Sequence, residues 1–229
     1  MTRYQAALLV VFVAVWIWAA IDPVFRADWL LENVLVFVFV PLILVAGFYF
    51  RLSSVSYTLI TLFMILHVIG AHYTYERVPF GYTLQHWFGA QRNMYDRLVH
   101  CSFGLLLAYP IREMFMRVSG AKGFWSYYLP FDVTMSFSAI YEIIEWQSAK
   151  GASTAGIAFL GAQGDVWDAQ KDMTMAGIGA LVSMAVIFLV RLRYDRGLWR
   201  EMRDSLRTRA GDRPLGEVEL KELIRRGAR

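Results

Sequence analysis

Long apolar runs separated by short polar breaks dominate the chain, near positions 5–21, 30–50, 55–71, 96–116, 124–145 and 173–192. Each is long enough for a helix to cross hydrocarbon, which takes about 17–25 residues. The pattern predicts an all-α, polytopic membrane helical bundle of about six transmembrane helices over residues 1–193. Pro41 and Pro110 fall inside the second and fourth runs, where neighbouring helices can satisfy the freed carbonyls, so kinks are expected without loss of a span. In the last run Ala176, Gly177, Gly179, Ala180 and Ser183 form a small-residue face suited to close helix contact. The aromatic connection from Tyr73 to Tyr95 reads as an outer-face loop at headgroup level.

Composition agrees with this pattern and excludes a soluble domain: 57% of residues are hydrophobic and only 18% charged. Cys101 is the single cysteine, so no internal disulfide is possible, and its place in an apolar run reads as a small buried side chain. Only Arg3 precedes the first run, and Ala19-Ala20 is a weak match to a signal-peptidase site, so that run is read as a retained span. The net charge of +4 is unevenly placed: from Arg191 to Arg229 there are twelve Lys/Arg against seven Asp/Glu. A basic segment just after the last span attracts anionic lipid headgroups and does not point to nucleic acid. Within this tail, 194–229, the apolar positions Leu198, Met202, Leu206, Leu215, Leu220 and Ile224 predict one or two amphipathic helices interrupted at Gly211 to Pro214.

Loop charges set the orientation. Arg3, Arg51, Arg112, Arg117, Lys122 and the tail lie on one side, whereas the opposite loops carry Asp22, Asp28, Glu32, Glu76, Asp165 and Asp168. Both termini are therefore expected in the cytoplasm. That topology places the conspicuous acidic residues and histidines in or beside spans three to six at outer ends. His67 and His72 end the third span, Asp96 and His100 begin the fourth, Glu142 and Glu145 end the fifth, and Asp165, Asp168 and Asp172 begin the sixth.

Spacing adds detail. Asp96 and His100 are four apart and Glu142 and Glu145 three apart, so each pair projects from one side of its helix. Asp165, Asp168 and Asp172 are expected to share one helical face. His67 and His72, five apart, diverge and rank below His100, and His86 reads as an interfacial residue. A helix-start aspartate such as Asp96 or Asp165 is often only a cap, but Glu142 and Glu145 sit at a helix end where the dipole disfavours anions. Six carboxylates at one depth need neutralisation. Either a divalent metal sits among them with His100, or Arg92, Arg97, Lys171 and shared protons balance them. Carboxylates with imidazole suit Zn, Mn or Fe; carboxylates and water alone suit Mg or Ca. No Gly-x-Ser-x-Gly elbow, His-Glu-x-x-His helix or phosphate-cradling glycine loop is present. Ser102 and Ser138 read as back-bonding helix residues.

The runs Tyr95-Asp96-Arg97-Leu98-Val99-His100, Tyr141-Glu142-Ile143-Ile144-Glu145-Trp146 and Gly164-Asp165-Val166-Trp167-Asp168-Ala169-Gln170-Lys171-Asp172 resemble the YjdF-like family of bacterial inner-membrane proteins, whose function is unassigned. The resemblance covers nearly the whole chain. More distantly the motif order is similar to the VanZ-like family, known for association with glycopeptide-antibiotic resistance. That resemblance implies that Asp96 and His100 match its first pair, Glu142 its acidic position and Asp168 its later aspartate. Glu145 stands where Gln is usual there and Asp172 where Asn is usual, and both departures add negative charge.

The first functional reading is a metal-dependent, membrane-embedded hydrolase or transferase acting at the outer leaflet on a membrane lipid or lipid-linked envelope substrate. Its expected metal ligands are Asp96, His100, Glu142 and Asp168, with Glu145, Asp165 and Asp172 as catalytic carboxylates or further ligands. Tyr73, Tyr75, Trp87 and Trp146 are placed to border a lipid-sized cleft. The second reading is a cation or proton-coupled transporter, against which stand the one-sided polar groups and the lack of repeated halves. The third is a non-catalytic scaffold with a structural polar cluster. Sequence leaves oligomeric state open.

Overall fold

The structure, a computed structural model, describes residues 2–151, 163–207 and 215–227. Among these the ordered backbone is helical: α1 (Arg3–Ala20), α2 (Arg26–Tyr49), α3 (Ser54–His72), α4 (Pro79–Phe88), α5 (Tyr95–Val118), α6 (Trp125–Gly151), α7 (Asp168–Tyr194), α8 (Leu198–Ser205) and α9 (Leu215–Gly227). The six apolar runs fall within α1, α2, α3, α5, α6 and α7, and Pro41, Pro110 and Pro130 lie inside helices that continue through them. By length and composition α1, α2, α3 and α7 are able to cross a membrane. Helices α5 and α6 are as long, but Asp96, Arg97, Arg112, Glu113, Asp132, Glu142 and Glu145 lower their hydropathy.

Local chemistry explains the helix boundaries. Thr2 and Gln5 form a reciprocal capping box at the start of α1. Ser53 caps α3, and its own N–H donates 2.8 Å to Glu113, which also accepts from Ser56 Oγ at 2.5 Å, tying the start of α3 to the end of α5. The stretch expected as an aromatic outer loop contains α4 instead. Pro79 fits its first turn, where no N–H is needed, and Gly89 ends it at φ +60°, a left-handed conformation glycine adopts without cost. His86 lies exposed on this helix.

Helix α5 is central, packed against α3, α6 and α7. The small residues permit its close crossing with α7: a Cβ added at Gly104 would stand 1.9 Å from the Ala176 carbonyl, and one at Gly179 would stand 2.1 Å from that of Cys101. Phe12, Val36, Phe63, Val68, Val99 and Leu107 join α1, α2, α3 and α5 in one apolar core. Ala108, Tyr127, Ala180 and Met184 form a second between α5, α6 and α7. Many large apolar side chains face outward on α1, α2 and α7, as a bilayer requires. Cys101 is only partly buried.

Beyond α7, α8 docks beneath the α5–α6 turn. Leu198 is fully buried, Gly123 N–H donates 2.8 Å to Glu201 Oε1, and Phe124 N–H donates 2.9 Å to Ser205 Oγ. Arg191 reaches both Asp195 and Glu201, the latter at 2.8 Å. The interruption expected at Gly211 to Pro214 lies outside the described residues.

Candidate functional site

The first turns of α5 and α7 meet side by side, and their charges interlock. Arg97, buried on α5, contacts Asp168 and Asp172 and lies 3.4 Å from Asp165 Oδ2. Arg92, just before α5, contacts the same Asp168 oxygen and lies 3.2 Å from Asp96 Oδ2. Lys171 Nζ donates 2.6 Å to Asp165 Oδ2, and this ammonium, with the Trp167 N–H, holds the Asp165 carboxyl below its usual range. The three-aspartate stripe thus finds its cations in Arg97 on α5, Arg92 just before it and Lys171 on α7 itself. The stripe is not wholly helical, however, because α7 begins at Asp168 and Asp165 stands in the preceding turn. Nor do Asp96 and Asp165 act as helix caps: the cap positions are Met94 and Trp167, neither with a side-chain cap bond.

A second group lies on the other side of these aspartates. His100 Nε2 is 3.5 Å from Asp96 Oδ1, 3.6 Å from Glu142 Oε1 and 4.0 Å from Asp172 Oδ1. Asp96 and Asp172 each give one oxygen to an arginine and turn the other toward the imidazole. Among the described residues Glu142 Oε1 and Asp172 Oδ1 are buried without a hydrogen-bond partner. The separations exceed the 2.7–3.2 Å of ordinary hydrogen bonds. They approach the roughly 3.3–3.6 Å between neighbouring ligand atoms around a tetrahedral cation with bonds of about 2.0–2.2 Å. Ligand atoms of Asp96, His100 and Asp172 lie within 4.8 Å of one another. The donor set of one imidazole with carboxylates, two of them offering unpaired buried oxygens, fits a borderline divalent metal such as Zn, Mn or Fe.

The structure places the sequence-derived site residues unequally. Asp96, His100, Glu142 and Asp172 converge on this space, while Asp168 and Asp165 face arginine and lysine. Glu145, one turn beyond Glu142, lines a cavity of about 650 Å3 that also reaches Asp96 and His100. His72 goes elsewhere, with Nδ1 3.1 Å from the Ala19 carbonyl and its ring stacked on Trp18.

Three contributors, Glu32, Tyr141 and His67, escaped sequence reasoning or were ranked low, and they join Tyr75, expected at the cleft. Glu32 is buried on α2 and accepts from the Tyr141 hydroxyl of α6 at 2.8 Å. His67 Nε2 lies 3.1 Å from the Glu32 carbonyl, an obligate acceptor, so Nε2 carries the proton and Nδ1 accepts from Tyr75 Oη at 2.5 Å. The ring is therefore held from both sides, and when neutral it carries its proton on Nε2. All four side chains line the cavity. For Glu32 and His67 the advance signal was their presence within apolar stretches, because their partners lie on other elements.

The cavity runs between α2, α3, α5 and α6. Asp28, Asp96 and Glu145 mark one end and Phe50, Leu52 and Met114 the other. From Asp96 to Met114 it follows α5 for about 27 Å at 1.5 Å per residue, close to the roughly 30 Å of a hydrocarbon core. Its walls below the polar end are apolar.

Residues 4–193 match the family described as "Predicted membrane protein (DUF2238)". The chain is similar to the inner membrane protein YjdF of Escherichia coli (strain K12), with 41% identity over 169 residues, 72% of this chain and 79% of that relative. No solved structure matches the chain.

Proposed function

The chain belongs to the DUF2238 family of membrane proteins and is a multi-pass inner-membrane protein, and on that premise we propose that it is a divalent-metal-dependent hydrolase or transferase acting on a membrane lipid or lipid-linked substrate. The observation that carries the reading is the shared position of Asp96 and His100. Both belong to the candidate ligand set, and both line the apolar cavity that runs the depth of the bundle. A metal-binding geometry at the polar head of a lipid-sized trough is the arrangement expected of an enzyme on an amphiphile.

In this reading Asp96, His100 and Asp172 hold the metal, with Glu142 Oε1 facing the same imidazole. A bound divalent ion supplies Lewis-acid polarisation of a phosphoryl or carbonyl oxygen, or a more acidic water. Glu145, in the cavity wall and outside the ligand set, is the general base or acid. Arg92 and Arg97 fix the aspartates through bonds to their other oxygens, and Asp165 and Asp168 balance the two guanidinium charges. The proposal includes six spans, α1, α2, α3, α5, α6 and α7, with both termini cytoplasmic and the site toward the outer leaflet. The basic tail then meets anionic headgroups of the inner leaflet.

The test of activity is lipid mass spectrometry after full-length protein is reconstituted in vesicles of bacterial lipid with zinc or manganese. A product formed only with metal, and absent for Glu145→Gln, supports the reading. No change in any lipid, despite measured metal loading, contradicts it. Topology is tested with a cysteine label introduced at Gln85 on α4 in Cys101→Ser protein: labelling from the outer face is expected, and labelling only from the cytoplasmic face refutes the orientation.

A further inference from the structure

We infer that the cavity between α2 and α6 binds a membrane lipid whose head ends in an ammonium group, as in a zwitterionic amine lipid, its aliphatic chain lying along α5. The inference rests on the proposed lipid chemistry of the same site and names the substrate class. Its basis is the charge of the lining. The polar end presents the carboxylates of Asp28, Glu32, Asp96 and Glu145, and none of the described lining residues is a lysine or arginine. Arg92 and Arg97 are directed at the aspartates of α5 and α7 instead.

An unpaired buried group supplies a second, independent observation. The Ser138 hydroxyl lines this cavity, is 97% buried and has no hydrogen-bond partner among the described residues. A buried hydroxyl left unpaired costs free energy that a ligand atom removes. An anionic head against these carboxylates adds like-charge repulsion to desolvation. An ammonium instead gains charge-assisted hydrogen bonds to carboxylate and attraction to the faces of Tyr75 and Tyr141. Neutral His67, held between the Glu32 carbonyl and Tyr75, adds no positive charge to oppose it.

Access follows from the same geometry. Across the polar mouth, α2 and α6 are joined by the Tyr141 to Glu32 hydrogen bond of 2.8 Å, so the lipid enters from the side beneath that link. The head then reaches the carboxylates while the chain stays in apolar surroundings, with no polar headgroup dragged through hydrocarbon.

The experiment is native mass spectrometry of the full-length protein in detergent and metal chelator, with lysophosphatidylethanolamine and lysophosphatidylglycerol as competing probes. The amine lipid is expected to bind at least about tenfold more tightly, a difference of about 1.4 kcal/mol. Glu32→Gln keeps an acceptor for Tyr141 but removes the charge, and is expected to bring the two lipids near parity. Asp28→Asn, at a half-buried position in the first turn of α2, gives the same readout with Glu32 left in place. Ala46→Phe, which narrows the apolar end of the trough, weakens both lipids alike. Equal binding, preference for the glycerol head, an unchanged preference in both charge variants, or loss of binding in chelator overturns the inference. Because binding is read without metal, its failure is separable from failure of the metal-dependent reading.

Discussion

His100 Nε2 stands 3.6 Å from Glu142 Oε1, and that oxygen is buried with no hydrogen-bond partner. The pair brings α5 and α6 together across an unsatisfied space that Asp172 Oδ1 also faces from α7. Leaving such groups unpaired costs about 1–3 kcal/mol each. A cation among them satisfies all at once.

Arg97 is the counter-charge that allows the aspartates to stay together. Arg97→Leu leaves Asp168 with Arg92 alone and strips Asp172 of its arginine, and breaking a buried pair in this way costs about 3–5 kcal/mol. A fall in the thermal midpoint of detergent-purified protein is expected, partly recovered by adding Asp168→Asn. An unchanged midpoint contradicts the assigned ion-pair network.

The α5–α7 crossing depends on absent side chains. Gly104→Ala forces a methyl group against the Ala176 carbonyl and is expected to destabilise by about 1–3 kcal/mol. Gly216→Ala, in open space on α9, is the control and is expected to leave the midpoint unchanged or slightly higher. Thermal unfolding of the two variants side by side checks the contrast.

Much of this was legible in the sequence, for reasons that differ by residue. Span-length apolar runs fixed the helices, since backbone groups in hydrocarbon must bond within their own segment. The Asp96 and His100 spacing of four placed both on one side of α5, and both line the same cavity. Helix α4 was also signalled, by Pro79 and Gly89, but its aromatic content read as an interfacial loop. The partition of the carboxylates was not legible. Only tertiary packing decides that Asp168 turns to Arg92 and Arg97, whereas Asp172 divides its oxygens between Arg97 and His100. The same holds for Glu32, whose partner Tyr141 is 109 positions away.

Tyr75 holds the tautomer of His67. Tyr75→Phe removes the hydroxyl that donates to Nδ1 and leaves a buried acceptor unpaired, at a cost of about 1–3 kcal/mol. Nitrogen NMR of labelled histidine is expected to show altered Nδ1 shielding at this ring, and an unchanged signal contradicts the hydrogen bond.

Docking of α8 has a defined pH dependence. Arg191 holds the carboxyls of Asp195 and Glu201 below their ordinary values of 3.8 and 4.5. With folded values depressed, the stabilisation is fully present above those ordinary values and is lost as pH falls through the lower, folded ones. Hydrogen exchange over 198–205 is expected to be slow and constant from neutral pH down to about 5, after correction for the intrinsic rate, and to accelerate at lower pH. In Arg191→Ala it is fast throughout. Protection that increases on acidification contradicts the assignment.

The central claim is that Asp96, His100 and Asp172 bind a divalent metal. It is tested most directly by metal analysis of detergent-purified full-length protein after zinc or manganese loading and removal of excess ion. About one equivalent is expected in the wild type and in Asp165→Asn, with loss in His100→Ala and Asp172→Asn at unchanged helical content. Metal at the same level in all four proteins, or in none, contradicts the account.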